Sequence, residues 1–106
     1  MYIRMTFVQL KSDKKEAARK LYDKEVIPIH KGRQGLRFVH LLESMDNKNE
    51  GIAVTAWDTK EDALSYEKSG DYQKLLSKFY DLIDGEPELK SYQITVSSEP
   101  LLLRIF

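Results

Sequence analysis

Residues 36–57, LRFVHLLESMDNKNEGIAVTAW, constrain the fold most tightly. Two apolar runs, 36–43 and 52–57, flank one polar loop. Runs this short, rich in aromatic and β-branched residues, predict strands. Successive side chains of a strand point to opposite faces. By that count Leu36, Phe38 and Leu42 point one way, and Val39 and Leu41 the other. In the second run Ile52, Val54 and Ala56 oppose Ala53, Thr55 and Trp57. Both faces of the sheet are therefore substantially apolar. One face can be covered by the chain's own helices. The other, in a monomer, would meet water.

The rest of the chain supplies those helices. Residues 2–10, YIRMTFVQL, alternate: Ile3, Met5 and Phe7 face one way, and Tyr2, Arg4, Thr6, Val8 and Leu10 the other. Asp13 and Glu16 form a D-x-x-E capping pattern, which predicts a helix start. Ala18, Leu21, Tyr22, Val26 and Ile29 follow at helical spacing. Pro28 is expected to bend or weaken the last turn, and Gly32 and Gly35 bracket the exit. After the second apolar run, Thr59 with Asp62 predicts the cap of a short helix containing Ala63, Leu64 and Tyr66, ended by Gly70. Asp71 is expected to cap the next helix, whose stripe runs through Tyr72, Leu75, Leu76, Phe79, Leu82 and Ile83. The DGEPE turn then precedes a fourth strand at 91–96. The order β-α-β-β-α-α-β predicts an α+β fold, the ferredoxin-like split βαβ arrangement. Right-handed crossovers put all helices on one face of its antiparallel sheet.

With 106 residues and no linker or repeat, residues 1–106 are expected to form one domain. Large apolar patches are rarely left open on monomers. The second sheet face is therefore expected to meet a second copy, giving a homodimer closed into an α/β barrel. The 97–106 tail ends in PLLLRIF. Pro100 breaks the strand ladder, and an apolar tail in water is an aggregation liability. It is expected to pack on protein at the dimer interface.

Charge and composition exclude several functions. Lys plus Arg and Asp plus Glu number 17 each, so no basic surplus draws the chain to nucleic acid or to a membrane surface. The N-terminus alternates and then turns charged, unlike a signal peptide. There are no cysteines, hence no disulfide, thiolate metal site or thiol nucleophile. A cytoplasmic home is the simplest reading. No phosphate-binding glycine loop and no GxSxG elbow occurs. The two histidines, His30 and His40, lie on different elements without metal-ligand spacing. His40 sits mid-strand among apolar residues and is the candidate general base. His30, beside Lys31 and Arg33 at a helix end, reads as a cation meeting the helix dipole. Arg4 and Arg37 are expected on the second sheet face, where an arginine can hold a carboxylate or phenolate. Trp57, the only tryptophan, has small alternation partners in Ala53 and Thr55, which leave space for a ligand beside its ring. Tyr66 can donate a hydrogen bond into that space.

The stretch from the apolar strand ending in Trp57 through DTKEDA to SGDY, together with IPIHKGRQGLRFV, resembles the antibiotic biosynthesis monooxygenase group of the dimeric α/β-barrel superfamily, which also includes haem-degrading monooxygenases. The resemblance covers residues 2–96. It implies a homodimer with one pocket per subunit, between sheet and helices. It also implies a cofactor-independent monooxygenase acting on a small aromatic or quinone-like metabolite, whose own enolate or phenolate supplies electrons to O₂. Trp57 matches the family's strand-end tryptophan. Ala53 stands where some members carry an active-site Asn, and Tyr66 where His is common. The haem-degrading pattern of Asn, Trp and axial His falls on Thr6, Tyr66 and Leu76, and Leu76 cannot ligate iron. The expected site is therefore His40 and Tyr66 as catalytic groups and Trp57, Thr6, Arg4 and Ala53 as ligand contacts, with no metal or cofactor. The other function class is a non-catalytic dimeric module that binds a small hydrophobic ligand.

Overall fold

The computed structural model describes residues 1–98. The expectation for the PLLLRIF tail falls on residues outside that range. Strand β1 is Tyr2–Leu10, β2 Leu36–Glu43, β3 Glu50–Trp57 and β4 Ile83–Gln93. They form one antiparallel sheet in the order β2-β3-β1-β4. This is the ferredoxin-like arrangement expected, with β1 and β3 central and β2 and β4 at the edges.

Helix α1 is Lys15–Leu21. It starts after a turn closed by the Lys14 N–H donating to the Lys11 carbonyl (2.9 Å), and Lys14 occupies the cap without a side-chain bond. Asp13 therefore does not cap the helix as its spacing suggested; the turn puts it one residue too early. The helix then widens to a π turn over Tyr22–Val26 before a short α2, Ile27–His30. Pro28 is the physical cause. It has no N–H, and its ring crowds the carbonyl four residues earlier, that of Lys24 inside the π turn. The wider turn keeps Tyr22, Val26 and His30 on the buried side.

The Thr59 cap forms as expected. Its Oγ1 accepts from the Asp62 N–H (3.2 Å) and donates to Asp62 Oδ2 (3.0 Å), opening α3, Lys60–Lys68. Gly70, with φ +89°, turns the chain into α4, Asp71–Ser77. Gly70 rather than Asp71 holds the cap position; Asp71 instead pairs with Arg33.

Two strand expectations change. The ladder between β2 and β3 slips at Arg37: Leu36 pairs with Trp57, but Phe38 pairs with Ala56. That bulge spends two β2 residues on one β3 residue. Leu36 and Phe38 thus lie on opposite faces although two apart. Leu36, Val39, Leu41 and Trp57 join Tyr22, Val26 and Tyr66 under the helices. Phe38 joins Ile3, Met5, Ile52, Val54 and Ala56 in a second cluster that contains no helix residue. The face bearing Arg4, Thr6, Ala53 and Trp57 is the helix-covered one, so Arg4 does not lie on the second face as its alternation suggested. The second change is in β4, which begins at Ile83 rather than 91. The predicted DGEPE turn is a bulge inside the strand: Phe7 pairs with Glu88 and Gln9 with Asp84. Gly85 at φ +74° makes the bend, and Pro87 is tolerated because β4 is an edge strand.

Candidate functional site

A cavity of about 90 Å³ lies between the sheet and its helices. Trp57 at the end of β3 forms one wall. It is fully buried, and its Nε1 donates to Thr55 Oγ1 (2.8 Å). Because the chain turns into α3 two residues later, Tyr66 comes back over it. The two rings stack with centroids 5.4 Å apart and planes at 30°. Tyr66 also meets Tyr72 edge-on at 6.2 Å and His30 at 4.8 Å. On its remaining side the Arg33 guanidinium lies 4.8 Å from the ring centre. Arg33 is held there by its ion pair with Asp71 at the start of α4. The Trp and Tyr singled out in the sequence are thus one stacked aromatic wall.

Polar groups enter from three sides. Thr6 on β1 and Tyr72 on α4 share a hydrogen bond between hydroxyls (2.9 Å). Arg4, one strand turn away, forms an ion pair with Glu67 of α3 and donates to Tyr2 Oη (2.9 Å) and Ser91 Oγ (2.7 Å). Both members of the ion pair line the cavity. Burial pushes the Tyr66, Tyr22 and Tyr72 hydroxyls above the ordinary tyrosine range, with the Thr6 bond pulling Tyr72 partly back. All three are neutral at physiological pH and act as hydrogen-bond partners rather than phenolates.

The third polar group is one the sequence reading assigned elsewhere. His30 is 1% exposed and lines the cavity. Its Nδ1 lies 2.7 Å from the Val26 carbonyl. A carbonyl only accepts, so Nδ1 carries the proton and Nε2 presents a lone pair. That buried Nε2 has no hydrogen-bond partner among the described residues. Burial lowers the His30 pKa; the Val26 bond and Asp71 oppose the shift, and Arg33 adds to it. A signal was present in the sequence: Tyr22, Val26 and His30 recur every fourth residue, so His30 continues a buried stripe.

Of the residues expected at the site, Trp57, Tyr66, Thr6, Arg4 and Ala53 all line this cavity. His40 does not join them. It is exposed on the opposite face of the sheet, its ring stacked on Phe38 at 4.7 Å, and only its backbone carbonyl reaches toward the helices, accepting from Tyr22 Oη (3.0 Å). The bulge at Arg37 does not change that: His40 alternates with Val39, which is buried under the helices. Arg37 pairs with Asp58 at the strand end. Among the described residues no group of three or more His, Asp or Glu side chains converges as a metal site, and no helix is long and apolar enough to cross a membrane.

The sequence profile of the antibiotic biosynthesis monooxygenase family matches residues 1–78. The chain belongs to that family. Solved structures agree on the fold. A protein described as a candidate antibiotic biosynthesis monooxygenase from Nitrosomonas europaea superposes with a TM-score of 0.75 at 19% identity, covering 91% of this chain and 100% of that one. One of the same description from Deinococcus radiodurans gives 0.77 at 10% identity, covering 94% and 98%. The heme-degrader MhuD from Mycobacterium tuberculosis, with two hemes bound in its active site, gives 0.75 at 10% identity, covering 93% and 100%. No match emerges among curated protein sequences. In this member of the family the cavity between sheet and helices is lined by aromatic rings.

Proposed function

We propose that the protein is a cofactor-independent monooxygenase that acts, as a cytoplasmic homodimer, on a small aromatic or quinone-like metabolite held against Trp57 and Tyr66. The observation that carries this reading is the stacked Trp57–Tyr66 wall of an apolar cavity with only a few polar groups. Apolar walls bury the ligand and a few polar atoms orient it. The rings give flat contact to an aromatic ligand, and the Thr6–Tyr72 hydroxyl pair gives it a hydrogen-bonding edge. Walls this apolar limit the water beside an electron-rich intermediate. The dimer rests on the second sheet face, where Phe38, Met5 and Ile52 are only partly buried and Leu42 is 46% exposed. Haem suits this cavity poorly. Leu76 offers no ligand at the position expected for one.

A specific observation favours the non-catalytic alternative enough to keep it. Thr6 pairs with Tyr72 and Arg4 with Glu67, so most polar groups at the cavity already have partners. Oxygen consumption decides. With purified, chelator-treated protein and a panel of hydroquinones and phenols, saturable O₂ uptake and a product heavier by oxygen would support the enzyme. Saturable binding without uptake would support the binding module. A shifted haem absorption band on adding hemin, with turnover of the porphyrin, would favour a haem enzyme instead.

A further inference from the structure

Resting on the reading of this cavity as an aromatic-ligand site, we propose that His30 Nε2 is the proton acceptor for the ligand, and that the ligand is a single-ring hydroxyaromatic whose hydroxyl points at it. Three observations converge. His30 is among the most deeply buried side chains of the described chain and lines the cavity. Its Nδ1–H is committed to the Val26 carbonyl, which fixes both the ring orientation and the tautomer. Its Nε2 is a buried acceptor with no partner. Leaving such an atom unsatisfied is costly, and the group that relieves it must bring a donor.

The neighbours narrow that donor. Trp57 Nε1 is already bonded to Thr55, and the Tyr72 hydroxyl to Thr6. His30 and Tyr66 both line the cavity with ring centres 4.8 Å apart, so a ligand that brings a donor to Nε2 also lies beside the aromatic wall. A phenolic O–H fits; an ether or a carboxylate does not, since neither donates. Size narrows the ligand further. The cavity of about 90 Å³ is below the roughly 150 Å³ that holds benzene, so a single ring is the aromatic ligand that asks least movement of its walls.

The step itself is a proton transfer. The ligand O–H bond breaks, an Nε2–H bond forms, and the electron pair stays on oxygen. A phenolate and an imidazolium are left in contact. Burial and the Arg33 charge disfavour the imidazolium, while Asp71 favours it. With the cavity empty His30 is therefore neutral and ready to accept. With the phenolate formed, its negative charge offsets the burial. The groups facing His30 are Val26 of its own helix, Tyr66 of α3, and the Arg33–Asp71 pair at the start of α4.

Calorimetric titration with 4-methylphenol and its methyl ether, 4-methylanisole, tests this. The two share a ring and differ in the donor. The phenol is expected to bind about tenfold more tightly, and His30→Phe, which keeps a ring and removes the acceptor, is expected to level the two. A second measurement needs no substitution at His30. In protein carrying His40→Gln, the remaining imidazole signals belong to His30, and its Nε2 nitrogen resonance should move from the bare to the hydrogen-bonded position with 4-methylphenol and stay with 4-methylanisole. Equal affinities and an unmoved Nε2 resonance would overturn the inference and leave the aromatic-ligand reading standing. Preference for the phenol that survives in His30→Phe would assign the hydroxyl to another group and overturn it as well. No saturable binding of either compound would overturn both readings.

Discussion

Trp57→Phe separates the two duties of the aromatic wall. Phenylalanine keeps six of the nine ring atoms. It loses two buried carbons, worth about 1.6 kcal/mol at roughly 0.8 kcal/mol each, and the Nε1–H bond to Thr55, worth about 1 kcal/mol. The expected cost is about 2.5 kcal/mol, because Trp57 is fully buried and no solvent compensates the loss. A domain of ordinary stability, at about 5–15 kcal/mol, stays folded after that loss. The ligand should also suffer, since part of the flat wall beside Tyr66 is gone. At about 0.5–1.5 kcal/mol for an aromatic contact, the affinity for a ring-shaped ligand should fall about two- to tenfold. Urea unfolding followed by far-ultraviolet circular dichroism measures the first number, and calorimetry the second. A stability loss below about 0.5 kcal/mol would mean that the indole is not packed as described. Unchanged ligand affinity in a folded variant would remove Trp57 from the site.

Further outcomes follow from the same structure. Sedimentation at micromolar concentration should report twice the chain mass, and Phe38→Asp with Leu42→Asp, both on the helix-free face, should shift it to the monomer; a stable wild-type monomer would contradict the dimer. Gly35→Ala should destabilise by at least about 1–2 kcal/mol, since φ is +77° and the new Cβ would run into the Asp62 carboxylate; unchanged urea unfolding would refute it. His30 has a lowered pKa in the folded state, so on acidification the unfolded chain takes up its proton first. Stability should therefore be full above the unfolded histidine pKa of about 6.5 and decline as pH falls from there toward the lower folded pKa. His30→Phe should flatten that decline, and urea unfolding across that pH range measures it; an unchanged decline would refute the assignment.

Much of this architecture was legible in the sequence, because local signals agreed with the global pattern. Thr59 and Asp62 mark the start of α3 and bond as their spacing predicts. The strand-end Trp57 and its small neighbour Ala53 do line the cavity. Counting faces failed at one residue. Period-two alternation holds only while two strands stay in register, and the bulge at Arg37 breaks it, so Leu36 and Phe38 lie on different sides. The start of β4 was hidden because Gly85 and Pro87 read as a turn; only the edge position of the strand lets it absorb them. His30 was hidden by its neighbours. Lys31 and Arg33 made it look like one more cation at a helix end, whereas it continues the buried stripe of Tyr22 and Val26. Whether a histidine is an exposed charge or a buried acceptor is decided by helix phase, which the four-residue spacing carried.

The central claim is that the cavity behind Trp57 receives an aromatic ligand. Trp57 is the only tryptophan, so its emission reports on that cavity alone. Titrating the protein with a small quinone such as 1,4-benzoquinone, with free tryptophan as the collisional control, should quench Trp57 saturably, reaching a plateau that a hydroquinone competitor reverses. Linear, non-saturating quenching, unaffected by the competitor, would contradict the claim and return Trp57 to a closed core.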